Sequence, residues 1–430
     1  MIKQTKTFTL DTILLPLVFF FPLIIILRST AINIAVIAMS FIMLFYFFKK
    51  KKDFFKDKLV TYIFIYFSFI FLNSIIHFTS FELLLKSLGN FRYLLLSIAV
   101  FYVFGKISFS QKKFFIYFNI TLIFLIALDI LYQFIFYKDI FGFVPGMCVN
   151  TNPIKCVRFS GIFGNELIAG SYLSQIGFLI LIFFLNLDLK KSYFNLLIKI
   201  FLCLFLFLII LLTGERSATL IIMISLFFIF FFKKKIISFF IIMLFLLTLT
   251  FFLGQKVESI NSRFVKLFDS WGSTSEQKSI INKLVESPWG LHYQAAIELF
   301  LEKPILGYGP KSFRVMCENT NIDKKTREQT QLYRGYRACS THPHNYLLES
   351  LSEHGLVGGL FFIGLILFIF TSVYKKSKNN KNENILIIVG VGSLILAIIF
   401  PFKPSGSFFS TLNASIFFYI FGFFLYYLKK

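Results

Sequence analysis

A chain of 430 residues that is 57% hydrophobic, carries 64 phenylalanines and has a mean hydropathy of +0.77 lies far outside the range of soluble domains. Its formal net charge of +23 is spread over lysine runs between apolar stretches, which suits contact with anionic lipid. With no basic soluble domain, nucleic acid is excluded as a partner, and a polytopic membrane protein remains.

Apolar runs long enough to cross ~30 Å of hydrocarbon at ~1.5 Å per residue recur along the chain. They predict about twelve transmembrane helices, over residues 10–27, 32–48, 59–76, 93–104, 114–136, 167–184, 197–212, 218–232, 236–253, 356–374, 385–400 and 408–428. The first stands where a signal peptide would. Asp11 and Pro22 interrupt it and no small-residue cleavage pattern follows, so it is expected to be retained. A polar island separates the ninth stretch from the tenth. The expected class is an all-α integral membrane protein in three parts: residues 1–255 with the first nine spans, a loop domain of short helices over 256–355, and 356–430 with the last three.

Lysine gathers on the cytoplasmic side of short loops. Lys49 to Lys52 with Lys56 and Lys58, Lys106 with Lys112 and Lys113, Lys190 with Lys191, Lys233 to Lys235, Lys375 with Lys376 and Lys378, and Lys429 with Lys430 mark every second connection. Both termini then lie in the cytoplasm, and the loop domain faces the periplasm of a bacterial inner membrane. Cysteine placement points the same way. Cys148 and Cys156 share one external connection, Cys317 and Cys339 share the loop domain, and only Cys203 falls in a span. Such pairs are disulfide candidates in an oxidising compartment, the alternative being four free thiols.

All nine arginines, Arg28, Arg92, Arg158, Arg216, Arg263, Arg314, Arg327, Arg334 and Arg337, fall on the expected external side, while every cytoplasmic cluster is lysine alone. The planar guanidinium fork suits bidentate phosphate recognition; the competing explanation is ion pairing on the loop surface. Arg216 stands in the tight turn Thr213-Gly214-Glu215-Arg216-Ser217, at the membrane surface, where a charge is costly unless paired or used. Its neighbour Glu215 is the simplest partner. Arg158 opens Arg158-Phe159-Ser160-Gly161-Ile162-Phe163-Gly164-Asn165-Glu166, whose glycines can bring backbone N–H groups close to an anion or simply bend the chain.

In Thr341-His342-Pro343-His344-Asn345-Tyr346, Pro343 suits a first helical turn. That puts His344 near a helix N-terminus, where the dipole favours an anion and lowers an imidazole's pKa. A neutral imidazole is what a general base needs. Zinc held by His342 and His344 is the other reading, but alternate spacing ahead of a helix matches no common ligand pattern. Gly355, Gly358 and Gly359 would permit a kink or a close helix approach.

His344-Asn345 followed after nine residues by Gly355-Leu356-Val357-Gly358 resembles the signature of the O-antigen ligase and polymerase superfamily of envelope glycosyltransferases. Arg158-Phe159-Ser160-Gly161, the Thr213 to Arg216 turn, and Glu302-Lys303-Pro304-Ile305-Leu306-Gly307-Tyr308-Gly309 with Phe313 add to the likeness. The resemblance implies a GT-C-like enzyme, embedded in the lipid bilayer, that moves a glycan from a polyprenyl-pyrophosphate carrier to a glycan or lipid A-core acceptor. It implies inversion and neither metal nor cofactor; no Asp-X-Asp occurs in the chain. It assigns His344 to activate the acceptor hydroxyl and Arg158 and Arg216 to hold the pyrophosphate. Arg314, His342 and Asn345 are expected as further substrate contacts.

Two departures stand out. Family members often carry an arginine just ahead of the amphipathic stretch 289–301, where this chain offers His292, so Arg314 and Arg263 are the candidates for a third phosphate contact. Gly359-Leu360 replaces the two threonines of several ligases, which leaves ligase and polymerase both open. A polyprenyl-linked glycan flippase or other twelve-span transporter is the non-enzyme alternative. Transporters place polar groups near the bilayer midplane and often show repeats; here Asp129 is the clearest midspan charge, and the two halves show no repeat.

Overall fold

In hydrocarbon, backbone N–H and C=O groups have only each other to bond, so long uncharged runs of Phe, Leu and Ile become helices. The computed structural model describes residues 10–50, 57–148, 156–187, 193–266, 279–329, 335–378 and 384–430. In chain order the elements begin with α1 (Asp11–Phe19), α2 (Phe21–Ile26), α3 (Arg28–Lys50), α4 (Lys58–Ile76), α5 (Phe81–Gly89), α6 (Phe91–Lys106) and α7 (Phe109–Phe136). A hairpin of β1 (Gly146–Cys148) and β2 (Cys156–Arg158) follows, then α8 (Ala169–Tyr172) and α9 (Phe178–Leu185) joined by a π turn, α10 (Tyr193–Leu212), α11 (Arg216–Phe232) and α12 (Ile236–Lys256). The loop domain contributes α13 (Glu258–Ile260), α14 (Ile280–Val285), α15 (Pro288–Glu302), α16 (Phe313–Met316) and α17 (Asn321–Glu328), and the chain closes with α18 (Tyr346–Ser377), α19 (Ile385–Ile398) and α20 (Thr411–Lys429).

Among the described residues, 8 helical stretches are long and apolar enough to cross a membrane: α3, α4, α5 with α6, α7, α10, α12, α18 and α20. The α8–α9 unit, α11 and α19 are shorter apolar helices. Every stretch expected from hydropathy is helical, the first as the broken pair α1–α2. Pro22 causes that break, since it has no N–H to offer the Val18 carbonyl. Tyr419 Oη donates to Val18 O instead, at 2.8 Å, and ties α20 to the break.

The antiparallel pair β1–β2, with Gly146 opposite Arg158 and Cys148 opposite Cys156, departs from the all-α expectation. The side chains of Cys148 and Cys156 lie outside the described residues, as does Arg334.

Helix α20 is buried almost throughout and packs on α6. Gly422 makes this approach possible, because a Cβ there would stand 2.6 Å from Ser97 O; Ser97 Oγ donates to Phe418 O at 2.8 Å across the seam. Helix α12 lies at the rim, with Phe240, Leu244 and Phe252 exposed. At one end of the bundle Lys106 pairs with Asp11 (2.7 Å), Lys429 with Asp57 (3.4 Å), and Lys112 donates to Tyr426 Oη (2.6 Å). The other end carries the loop domain. Leu291, Ala295 and Leu299 of α15 pack there with Phe313, Cys317 and Ala338 into a small separate core, and Cys317 and Cys339 are disulfide-bonded.

Helix α18 kinks at Gly355, whose φ is 66°. The backbone groups freed there bond to the preceding loop: Leu356 N to Pro304 O (2.6 Å), Gly309 N to Glu353 O (2.8 Å) and Tyr308 N to Ser352 O (3.3 Å). A Cβ on Gly355 would overlap Ile305 O. The Ile305 to Gly309 run and the Gly355 run are therefore two sides of one contact.

Candidate functional site

The segment after β2 has no sheet ladder to satisfy its N–H groups, and α7 supplies the acceptors. Gln133 Oε1 accepts from Ser160 N and Gly161 N, both at 2.9 Å, and Asp129 accepts from Ile162 N (2.7 Å) and Ile140 N (3.0 Å). Gly161 has φ 53°, and a Cβ there would meet Asp129 Oδ2 at 2.6 Å. Asp129 is thus a brace for the loop that carries Arg158.

Glu215 is buried and closes the start of α8, accepting from Gly170 N (2.8 Å), Ser171 N (3.0 Å) and Ser171 Oγ (2.8 Å). Its charged partner is Arg158, Nη2 to Oε1 at 3.7 Å, in place of the neighbouring Arg216. The reason is geometric: Glu215 holds the N-cap position of α11 and its carboxylate accepts from the start of α8, while Arg216, the first residue of the helix, donates to Arg263 O. Burial pushes the Glu215 carboxyl up, and Arg158 opposes that; burial likewise lowers Arg158, with Glu215 opposing.

Arg158 Nη2 donates to Leu167 O (3.0 Å), Arg216 Nε to Arg263 O (2.8 Å), and Arg263 Nε to Gly214 O (3.0 Å). Backbone carbonyls thereby fix the direction of each guanidinium. Gly214, at φ 66°, has Val157 O where a Cβ would be. Burial, then the neighbouring Arg158, lowers Arg263, as expected where like charges crowd. Among the described residues, Arg158, Arg216, Arg263 and Glu215 line a cavity of about 400 Å³, which Trp289, His344, Ser405 and the α11 residues Leu220 and Met223 also line. Guanidinium groups on one wall and apolar side chains on another suit a diphosphate that carries a hydrocarbon chain.

His344 reaches this cavity from just ahead of α18, with φ 56°. Asn345 caps the helix, accepting from Leu348 N (3.0 Å) and donating to Pro401 O (2.6 Å). Pro343 therefore precedes the cap, outside the first helical turn. Asn345, expected as a substrate contact, spends its side chain on holding His344 in place. The His344 carbonyl accepts from Ser405 N at 2.8 Å. Its ring lies 5.1 Å from that of His292 and 4.2 Å from that of His342, centroid to centroid. His292 Nδ1 donates to Ala338 O (2.7 Å). Burial, then His292, lowers His344 to about 4; burial, then His344, lowers His342 to about 3; burial lowers His292 as well. All three imidazoles are neutral near pH 7, and His344 is left able to accept a proton.

Arg158, Arg216 and His344, singled out in the sequence, thus share one cavity. Arg263 joins them, whereas Arg314 and His342 line a second cavity of about 870 Å³. Trp289, Ser171 and the run Pro404-Ser405-Gly406 are lining residues the motifs did not indicate. The small polar run Lys403 to Ser407 between two apolar spans was the available signal for the last of these.

Residues 200–363 match the family model described as O-antigen ligase. The matched span takes in Arg216, Arg263, Trp289 and His344. The chain matches no curated protein.

Proposed function

We propose that this multi-pass membrane protein, whose residues 200–363 match the O-antigen ligase family model, transfers a glycan from polyprenyl pyrophosphate to a sugar hydroxyl, as a ligase acting on lipid A-core or as a related surface-polysaccharide polymerase. The observation that carries this reading is the convergence of Arg158, Arg216 and Arg263, from three separate stretches of chain, on the cavity that His344 lines. The arginines hold the diphosphate, and the polyprenyl chain leaves past Leu220 and Met223. His344 takes the proton of the acceptor hydroxyl as its oxygen attacks the anomeric carbon. The bond from that carbon to the diphosphate oxygen breaks, its electron pair departs with the polyprenyl diphosphate, and the configuration inverts. The arginines meet the growing charge, so no step requires a metal. Both termini lie in the cytoplasm of the inner membrane and the cavity opens to the periplasm, in accord with the lysine clusters gathered at the opposite end of the bundle. A transporter would need polar groups free at the midplane, whereas Asp129 is engaged with backbone.

The test is to delete the gene in its host, complement with wild type or His344→Ala, and resolve envelope glycolipids beside the extracted lipid-linked pool. Bare lipid A-core with polymer stranded on the carrier identifies a ligase. Single repeats on the core identify a polymerase. An unchanged profile in the deletion strain refutes both.

A further inference from the structure

The second cavity has no part in the donor chemistry, yet it adjoins it. Gly406 lines both cavities, and His342 of the second has its ring 4.2 Å from that of His344 in the first. His342 Nε2 is buried and has no hydrogen-bond partner among the described residues. At its far edge the second cavity shares Gly89 and Arg92 with an apolar groove of about 860 Å³ between α3 and α6, walled by Phe41, Leu44, Leu95 and Ile98. Three compartments therefore run in series: the arginine cavity, a polar cavity, and a groove among the spans.

We propose that the polar cavity and the groove together seat the acceptor, a glycan carried through a phosphate on a membrane lipid, with acyl chain in the groove, phosphate at Arg92 and sugar toward His342. This rests on the transferase reading above. A water-soluble acceptor would have no use for the groove, and an amphiphile lying in it must place its first polar group where lining changes character, which is at Arg92. The guanidinium is set for an anion. Nη2 donates to Tyr93 Oη (2.8 Å), the group lies 4.8 Å from the Tyr93 ring centroid, and Nε is buried with no partner among the described residues. Ser40 Oγ, donating to Arg92 O at 3.1 Å, pins α6 to α3 at the groove. Gly89 leaves the junction open, its missing Cβ 3.8 Å from Arg92 Nη1. Within the polar cavity the carboxylates are engaged: Glu349 accepts from Phe408 N (2.8 Å) and Glu353 from Lys311 N (2.8 Å). Arg314 makes no hydrogen bond or ion pair among the described residues and stays available to the sugar or a charge upon it.

Two measurements test this with the full chain. In phosphatidylcholine nanodiscs doped with phosphatidic acid bearing a diazirine on its acyl chain, Phe41, Leu44 and Leu95 should be labelled about fivefold above Phe240 and Leu244, which are exposed on α12, and Arg92→Gln should remove the excess. Uniform labelling would mean ordinary bilayer lipid only and overturn the proposal. In the transfer assay, Leu95→Trp, which narrows the groove at a residue that does not line the polar cavity, should raise KM for the lipid-borne acceptor about tenfold. The same variant should use the deacylated acceptor as wild type does and bind polyprenyl pyrophosphate unchanged. Equal loss with both acceptors, or loss with neither, overturns the proposal. If the wild-type chain transfers nothing, the transferase reading fails, and the labelling still decides what the groove holds.

Discussion

Arg28 faces Glu166, and Arg327 and Arg337 face Asp323, so for these three the ion-pair explanation holds. Arg158, Arg216 and Arg263 line one cavity together with Glu215. Such a lining predicts that Arg216→Ala weakens binding of polyprenyl pyrophosphate by about tenfold to a hundredfold, since a hydrogen bond to a charged group is worth about 1.5–3 kcal/mol. Arg216→Lys should restore only part, because an ammonium lacks the fork; titration with polyprenyl pyrophosphate checks both. With His344 lowered from its ordinary 6.5 to about 4, the acid limb of kcat/KM should lie well below pH 6.5. A bound diphosphate favours the imidazolium, so the limb in kcat should stand at higher pH. His344→Ala should abolish transfer while donor binding survives. His344, Arg158 and Arg216 were legible in the sequence because motifs of fixed spacing carry them. The choice of Arg263 over Arg314 was not, since it depends on how the turn Asn261–Val265 packs against α12 and meets Gly214 O, a contact no local pattern records.

At the level of elements, hydrocarbon leaves the backbone little choice, which is why the apolar stretches could be read from length alone. The ends were harder. Pro343 looks like a helix-starting proline, but the cap falls on Asn345, whose side chain satisfies Leu348 N as a proline cannot. The strands β1 and β2 are too short for any period to show. The kink at Gly355 pins the Ile305 to Gly309 run against α18 and so sets the direction from which His344 enters. Gly355→Ala should cost at least about 1–3 kcal/mol from left-handed strain alone, with overlap at Ile305 O added. It should lower Tm in detergent and reduce transfer, while a like change at Gly105, which has nothing within 4 Å of its Cβ position, should do neither. Replacing Cys317 and Cys339 by serine should loosen the small core beneath His292, read as faster proteolysis of the loop domain with the spans intact.

Over the whole molecule, burial of three neutral imidazoles has a global cost in acid. The unfolded chain takes up protons at the ordinary 6.5, whereas folded His344 and His342 refuse them until about 4 and about 3. More protons bind the unfolded state in that window, so stability should fall as pH drops from 6.5 toward 4. Thermal unfolding at pH 7.5, 6 and 4.5 measures this, and replacing His342 by Gln should flatten the dependence. The membrane class was plain in the sequence, and the disulfide pairing of Cys317 with Cys339 agrees with the expected pair. How the ends of distant spans converge was not legible, because hydropathy ranks segments without saying which become neighbours.

The bonds from Asn345 to Pro401 and from Ser405 to His344 also order events during biosynthesis. A nascent chain that has inserted α18 already holds all the arginines and the histidine, yet the wall behind that histidine is still inside the ribosome. The cavity closes only once α19 has turned back and α20 has begun to insert, so under the proposed function an unfinished chain would not discharge lipid-linked sugar at random. Truncation after Ser377 would leave every matched residue in the membrane and the cavity without its Pro404 to Gly406 wall.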